Sequence, residues 1–104
     1  MKPKIGVLIP TFDNAATLRD VVQGVLPKGY PVLVVDDGSR VPAAALLADV
    51  AGDLHVLRHA TNRGKGAALC TGFAWARENG FTHAITLDAD GQHLPEDVPT
   101  LAKA

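Results

Sequence analysis

Pro31-Val32-Leu33-Val34-Val35-Asp36-Asp37-Gly38-Ser39 is the stretch whose reading decides the fold. Its first five residues are almost wholly apolar and rich in β-branched side chains, and they end abruptly in two carboxylates, a glycine and a serine. A strand of this kind has no polar face to offer water, which predicts a central strand covered on both sides. Parallel sheets supply that cover, because each crossover lays a helix on one face.

The flanking sequence repeats the same alternation. Lys4 to Pro10 predicts a first strand. Leu18, Val21, Val22 and Val25 then recur at the spacing of one buried helical face, with Asp13 or Asn14 placed to cap that helix and Pro27 and Gly29 to stop it. Downstream, a weaker helix from about Pro42 to Val50 leads through Gly52 to a strand at Leu54 to Arg58, where His55 and Arg58 read as a partly solvated edge. The polar loop from Ala60 to Gly66 precedes a helix of about Ala67 to Asn79. That helix carries apolar residues nearly all round, which predicts deep packing, and Trp75 reads as core or helix–sheet packing rather than a ligand platform. Thr82 to Leu87 predicts a fourth strand, and a further helix can begin near Pro95, interrupted at Pro99. The expected fold class is α/β: a Rossmann-like, mostly parallel sheet of about four strands with flanking helices.

Composition agrees with one folded unit over residues 1–104. Hydrophobic residues make up 47% and charged residues 20%, which is globular composition. Ten basic and eleven acidic side chains leave a net charge of −1, so no basic surplus directs the chain to nucleic acid or anionic lipid. No segment approaches the ~20 apolar residues needed to span a bilayer, and the apolar run from Ile5 to Ile9 is too short for a signal-peptide core. A cytoplasmic location is the expectation, with peripheral membrane association of a longer protein left open. Cys70, the single cysteine, reads as a small buried hydrophobe beside Leu69 and Phe73.

The chemistry gathers at the strand ends. In open parallel sheets ligands bind beyond the carboxyl ends of the strands. The polar signals fall there: Pro10-Thr11-Phe12-Asp13-Asn14, Asp36-Asp37-Gly38-Ser39, Asn62-Arg63-Gly64-Lys65-Gly66 and Asp88-Ala89-Asp90-Gly91-Gln92-His93. Residues two apart in extended chain share a side, so Asp88 and Asp90 can aim both carboxylates at one point. A shared Mg²⁺ or Mn²⁺ would relieve their repulsion, with Gln92 adding a neutral oxygen. The plainer reading is a solvated turn whose Asp caps a following helix. Asp37 can accept hydrogen bonds from a nucleobase or make an Asx turn with Gly38. Phe12 can stack on a base or pack against the neighbouring helix. The Asn62–Gly66 loop precedes a helix, so its N–H groups and cations, with Gly64 and Lys65 foremost, can face an anion. It is neither a P-loop nor a dinucleotide fingerprint. Of the histidines, His55 and His59 read as edge-strand surface, His83 as strand entry, and His93 alone lies near the carboxylates.

Taken in order, Val7 to Asn14, Val34 to Ser39, Asn62 to Ala68 and Leu87 to His93 resemble glycosyltransferase family 2, most nearly its dolichyl- and polyprenyl-phosphate sugar synthases. The resemblance implies the GT-A fold, a nucleotide-diphosphate-sugar donor (a UDP- or GDP-sugar), Mg²⁺ or Mn²⁺, and inverting transfer to a lipid-phosphate or glycan acceptor. By the same resemblance Phe12 would stack on the base, where the family more often has Tyr, with Pro10 and Thr11 lining that pocket and Asn14 beside them. Asp37 would bond the base, Asp88 would reach the ribose or sugar and the metal, Asp90 would ligate the metal, and Gln92 would be its third ligand. Asp13 stands where the family commonly has Asn. Family members continue past this point into an acceptor-binding half that carries the general base, so no catalytic base is named here. The expectation is a truncated donor-binding domain, inactive or weakly active by itself.

Two rival readings remain. Leu87-Asp88-Ala89-Asp90-Gly91 also fits the aspartyl-nucleophile loop of haloacid-dehalogenase-like phosphatases, with Asp88 attacking phosphorus and Asp90 as acid or base. There, however, the motif resembles the end of a first strand, and here it closes a fourth. A non-catalytic nucleotide-binding module is the other rival.

Overall fold

The computed structural model describes residues 3–90. Within them lie four strands, β1 (Ile5–Thr11), β2 (Val32–Asp36), β3 (Leu54–Arg58) and β4 (His83–Thr86), and three α-helices, α1 (Leu18–Val25), α2 (Ala43–Leu46) and α3 (Lys65–Glu78), with a 3-10 turn at Leu26–Lys28. All neighbouring strand pairs are parallel, in the order β3-β2-β1-β4. The chain therefore steps outward from β1 to β3, then returns across the sheet through α3 to lay β4 on the free side of β1.

The pleat explains why this sequence needs two helical layers. Val7 and Ile9 of β1 and Val32 and Val34 of β2 point to one face, where they pack with Leu18, Val21, Val22 and Val25 of α1. The alternate residues Leu8, Leu33 and Val35 point to the other face and meet Ala68, with Leu69 and Trp75 partly covering them. All five residues of β2 are buried, as its apolar sequence requires. The outer strands β3 and β4 are half-exposed.

Three expectations are corrected. The second helix is a single turn, because Leu47 departs from helical geometry and only Ala43 within it is buried. The third helix is not deeply packed. It lies across β1 and β2 and buries a narrow stripe of small residues, Ala68 and Gly72, while Phe73 remains exposed. Cys70 is likewise exposed, because it projects from the side of α3 away from the sheet stripe. A further helix near Pro95 falls outside the described residues.

The opening between β1 and β4 has a local cause. Val7 N–H donates to Pro31 O and Asp37 N–H to Thr11 O, so the odd-numbered groups of β1 face β2. Leu8 O accepts from Leu87 N–H, so the even-numbered groups face β4. Pro10 is the next even position, and it has no N–H to give. The β1–β4 register ends at Leu8↔Thr86, and the two strands part where proline stands. In an open parallel sheet this is the point where outgoing and returning crossovers leave a crevice.

Candidate functional site

A cleft of about 410 Å³ occupies that crevice. It is lined by Pro10, Thr11, Phe12 and Asn14 after β1, by Asp37 after β2, by Gly64 and Lys65 at the start of α3, and by Asp88, Ala89 and Asp90 after β4. Every described residue singled out from sequence as nucleotide- or metal-binding stands on its wall. Gln92 and His93 lie outside the described residues.

Each wall is held by a separate network. Asn14 does not cap α1: its Oδ1 accepts from Thr11 Oγ1 (2.9 Å) and from Phe12 N–H (3.0 Å). Its carbonyl closes the turn before the helix by accepting the N–H groups of Thr17 and Leu18. The polar side chain is thus spent on folding the loop that carries Phe12, which is 47% exposed. Asp13 adopts a left-handed backbone, φ 54°. Its N–H donates to Ser39 Oγ (2.9 Å) and its Oδ1 accepts Arg40 N–H (2.8 Å), so the β1 and β2 loops are clasped together.

Asp36 is fully buried. It accepts Ser39 N–H (2.9 Å), Ala43 N–H (2.8 Å) and Arg58 Nη1 (2.6 Å), which shapes the turn into α2 and ties it to β3. Burial pushes its carboxyl up, but the hydrogen bonds from Ala43, Ser39 and Arg58 outweigh that and hold it below its ordinary value.

Asp37 is also buried, and its oxygens are used fully. Oδ1 accepts from His59 Nδ1 (2.8 Å) and Arg63 N–H (2.8 Å), while Oδ2 accepts from Asn62 Nδ2 (3.0 Å) and Gly64 N–H (2.8 Å). Desolvation alone would raise this carboxyl, but the His59 hydrogen bond, the two backbone donors and the nearby imidazole lower it. Gly38 follows with φ +80°, and a Cβ there would lie 2.6 Å from Asn62 N, so the turn and the loop approach backbone to backbone.

His59 corrects the sequence reading. It is not edge-strand surface but is buried, held between Asp37 Oδ1 and Thr71 Oγ1 of α3, each at 2.8 Å. Only the strand register reveals this. The parallel register sets Arg58 opposite Asp36, so the residue after Arg58 falls beside Asp37. His55, by contrast, is exposed and pairs with Asp53.

At the far wall, Lys65 Nζ lies 2.9 Å from Asp88 Oδ1, bridging α3 to the end of β4. Thr17 Oγ1 donates to Ala89 O, fixing the Asp88–Asp90 segment against α1. Among the described residues no group of three or more His, Cys, Asp or Glu could hold a metal ion. Among the described residues the carboxylates that line the cleft are Asp37, Asp88 and Asp90.

In an open α/β sheet of this order the switch point is where ligands bind, and here it carries a carboxylate-lined cleft. Residues 6–104 match the model of Glycosyl transferase family 2, and the chain belongs to that family. It is 35% identical to the polyprenol monophosphomannose synthase of Mycolicibacterium smegmatis, over 94% of this chain and 39% of that protein. It is also 35% identical to the undecaprenyl-phosphate mannosyltransferase of Micrococcus luteus, over 97% of this chain and 44% of that one. The crystal structure of S. aureus TarS 1-349 superposes with a TM-score of 0.78 at 19% identity, covering 96% of this chain and 31% of that one, a likeness of fold. The chain spans about two fifths of the length of these two relatives. Among the described residues no helix is long and apolar enough to cross a membrane.

Proposed function

We propose that this chain is the nucleotide-diphosphate-sugar-binding half of an inverting, metal-dependent glycosyltransferase acting on polyprenyl phosphate or a related lipid or glycan acceptor. The observation that carries it is the cleft itself: an aromatic ring, a lysine and three carboxylates from four strand ends surround one opening. The relatives' names supply the acceptor class. The acceptor site and general base would lie on further chain, and the cytoplasmic, membrane-peripheral setting belongs to the same proposal. Family membership speaks against the phosphatase reading, as does the place of Asp88 after β4 rather than after a first strand.

The residues divide the work by chemistry. The exposed Phe12 ring offers a face to a base. Both oxygens of Asp37 already accept two bonds each, so a base N–H reaching it would replace a donor, and the Asn62 side chain is the donor free to swing away. Lys65, at the N-terminal end of a 14-residue helix, would turn from Asp88 to the diphosphate. Asp88 and Asp90 are hard oxygen donors of the kind that would hold Mg²⁺ or Mn²⁺. When bound, the ion supplies a Lewis acid that takes up charge on the departing nucleotide diphosphate.

A thermal-shift panel of UDP, GDP, dTDP and CDP, with and without Mn²⁺, tests the proposal. Stabilisation is expected to be base-selective, metal-dependent and absent in Asp90→Ala. A ligand at ~100 times its Kd adds about 2.7 kcal/mol. Equal shifts for all four nucleotides irrespective of manganese would overturn it. Sugar transfer by the chain joined to its downstream sequence separates an enzyme from a non-catalytic binding module.

A further inference from the structure

We infer that His59 is a positioning residue for the proposed site: it sets Asp37, and through Asp37 the Asn62–Lys65 turn that brings Gly64 and Lys65 to the cleft. The geometry is a three-part chain. Thr71 Oγ1, on α3, meets His59 Nε2 at 2.8 Å, and His59 Nδ1 meets Asp37 Oδ1 at 2.8 Å. Asp37 then takes the N–H groups of Arg63 and Gly64, each at 2.8 Å. A backbone anchor, His59 N–H to Asp36 O at 2.8 Å, fixes the ring's origin.

Burial gives this chain its importance. His59 is 7% exposed and Asp37 3% exposed, so water cannot readily replace a lost imidazole donor. The carboxylate would otherwise be free to rotate, because its other partners all belong to the loop it is meant to hold. His59 and Thr71 are the parts of the network that come from β3's end and from α3, the rigid frame. The inference depends on the proposed function for what the turn binds, but not for the positioning itself.

Two substitutions separate positioning from packing. His59→Phe keeps the ring volume and removes both bonds. His59→Asn loses volume but keeps an amide nitrogen near the Nδ1 position, able to reach Asp37. Hydrogen exchange at Arg63 and Gly64 N–H is measured in the ligand-free chain, and Kd for the nucleotide diphosphate with Mn²⁺ is measured alongside. Exchange at both amides should quicken in His59→Phe and return toward wild type in His59→Asn. Nucleotide affinity should fall roughly tenfold in the first and recover in the second. Should His59→Phe fail to fold, Thr71→Val cuts the Nε2 link alone and should quicken the same two amides to a smaller degree. The inference is overturned if Phe preserves protection and affinity better than Asn does, as a packing role would have it, or if no variant alters exchange at these amides. If the wild-type chain binds no nucleotide, the proposed function falls while the exchange data still decide the role of His59.

Discussion

Gly72 of α3 sits directly on Leu8 of β1: a Cβ at residue 72 would lie 2.4 Å from Leu8 Cδ1 and 2.7 Å from Cδ2. The absent side chain lets the helix settle onto the sheet, and the depth of that settling fixes where the first turn, with Lys65, meets the cleft.

Gly72→Ala is therefore expected to destabilise the chain. Leu8 is 2% exposed, so its side chain or the helix must shift to admit the methyl, and overpacking costs roughly 1–3 kcal/mol. Alanine's better helix propensity returns about 1 kcal/mol, and the expected net loss is about 0–2 kcal/mol in urea denaturation. A stabilised variant would show that α3 can rise off the sheet at no cost.

Lys65→Ala should behave differently. Its pairing with Asp88 is mostly solvated, with the lysine side chain 66% exposed, and such pairs contribute about 0–1 kcal/mol. Stability should stay within ~0.5 kcal/mol of wild type, while affinity for a nucleotide diphosphate falls several-fold. The difference should shrink as salt rises, since exposed charges are screened. Calorimetric titration at two ionic strengths reads both effects.

The acid limb of the stability curve follows from Asp36 and Asp37. Both carboxyls are held below their ordinary value in the folded chain, so the unfolded chain binds their protons more readily. Their stabilisation is complete above the ordinary carboxylate range, near pH 4, and is lost as pH falls through the lowered folded values. Urea midpoints should be level from about pH 6 to 5 and decline below about 4, and Asp37→Asn should flatten the slope.

How far the sequence reveals this site depends on which residues make it. β2 was legible because an apolar run ending in Asp36-Asp37 has one sensible environment, and the cleft residues followed from the rule that strand ends converge. The packing of α3 was not, because an Ala-rich helix shows no polar stripe even where its outer face is exposed, as at Cys70 and Phe73. His59 was missed for a different reason. An imidazole beside an edge strand looks like surface until its partners are known, and these, Asp37 and Thr71, lie 22 and 12 residues away. Asn14 shows the converse: its residue type fits a cap, and the structure gives its side chain to Thr11 and Phe12 instead.

Asp13 gives the most exacting test of the loop that carries Phe12. At φ 54° a side chain with a Cβ is disfavoured by roughly 1–2 kcal/mol, with Asn and Asp the usual exceptions. Its Oδ1 also takes Arg40 N–H at 2.8 Å, worth about 1 kcal/mol. Asp13→Asn keeps both properties and should lie within ~0.5 kcal/mol of wild type. Asp13→Gly relieves the backbone but drops the acceptor, and should cost about 1 kcal/mol. Asp13→Ala loses both and should cost roughly 2–3 kcal/mol. Nucleotide affinity should follow the same order, because the clasp to Ser39 and Arg40 holds the turn on which Phe12 stands. If Ala and Gly prove equal, the left-handed backbone at residue 13 carries no strain.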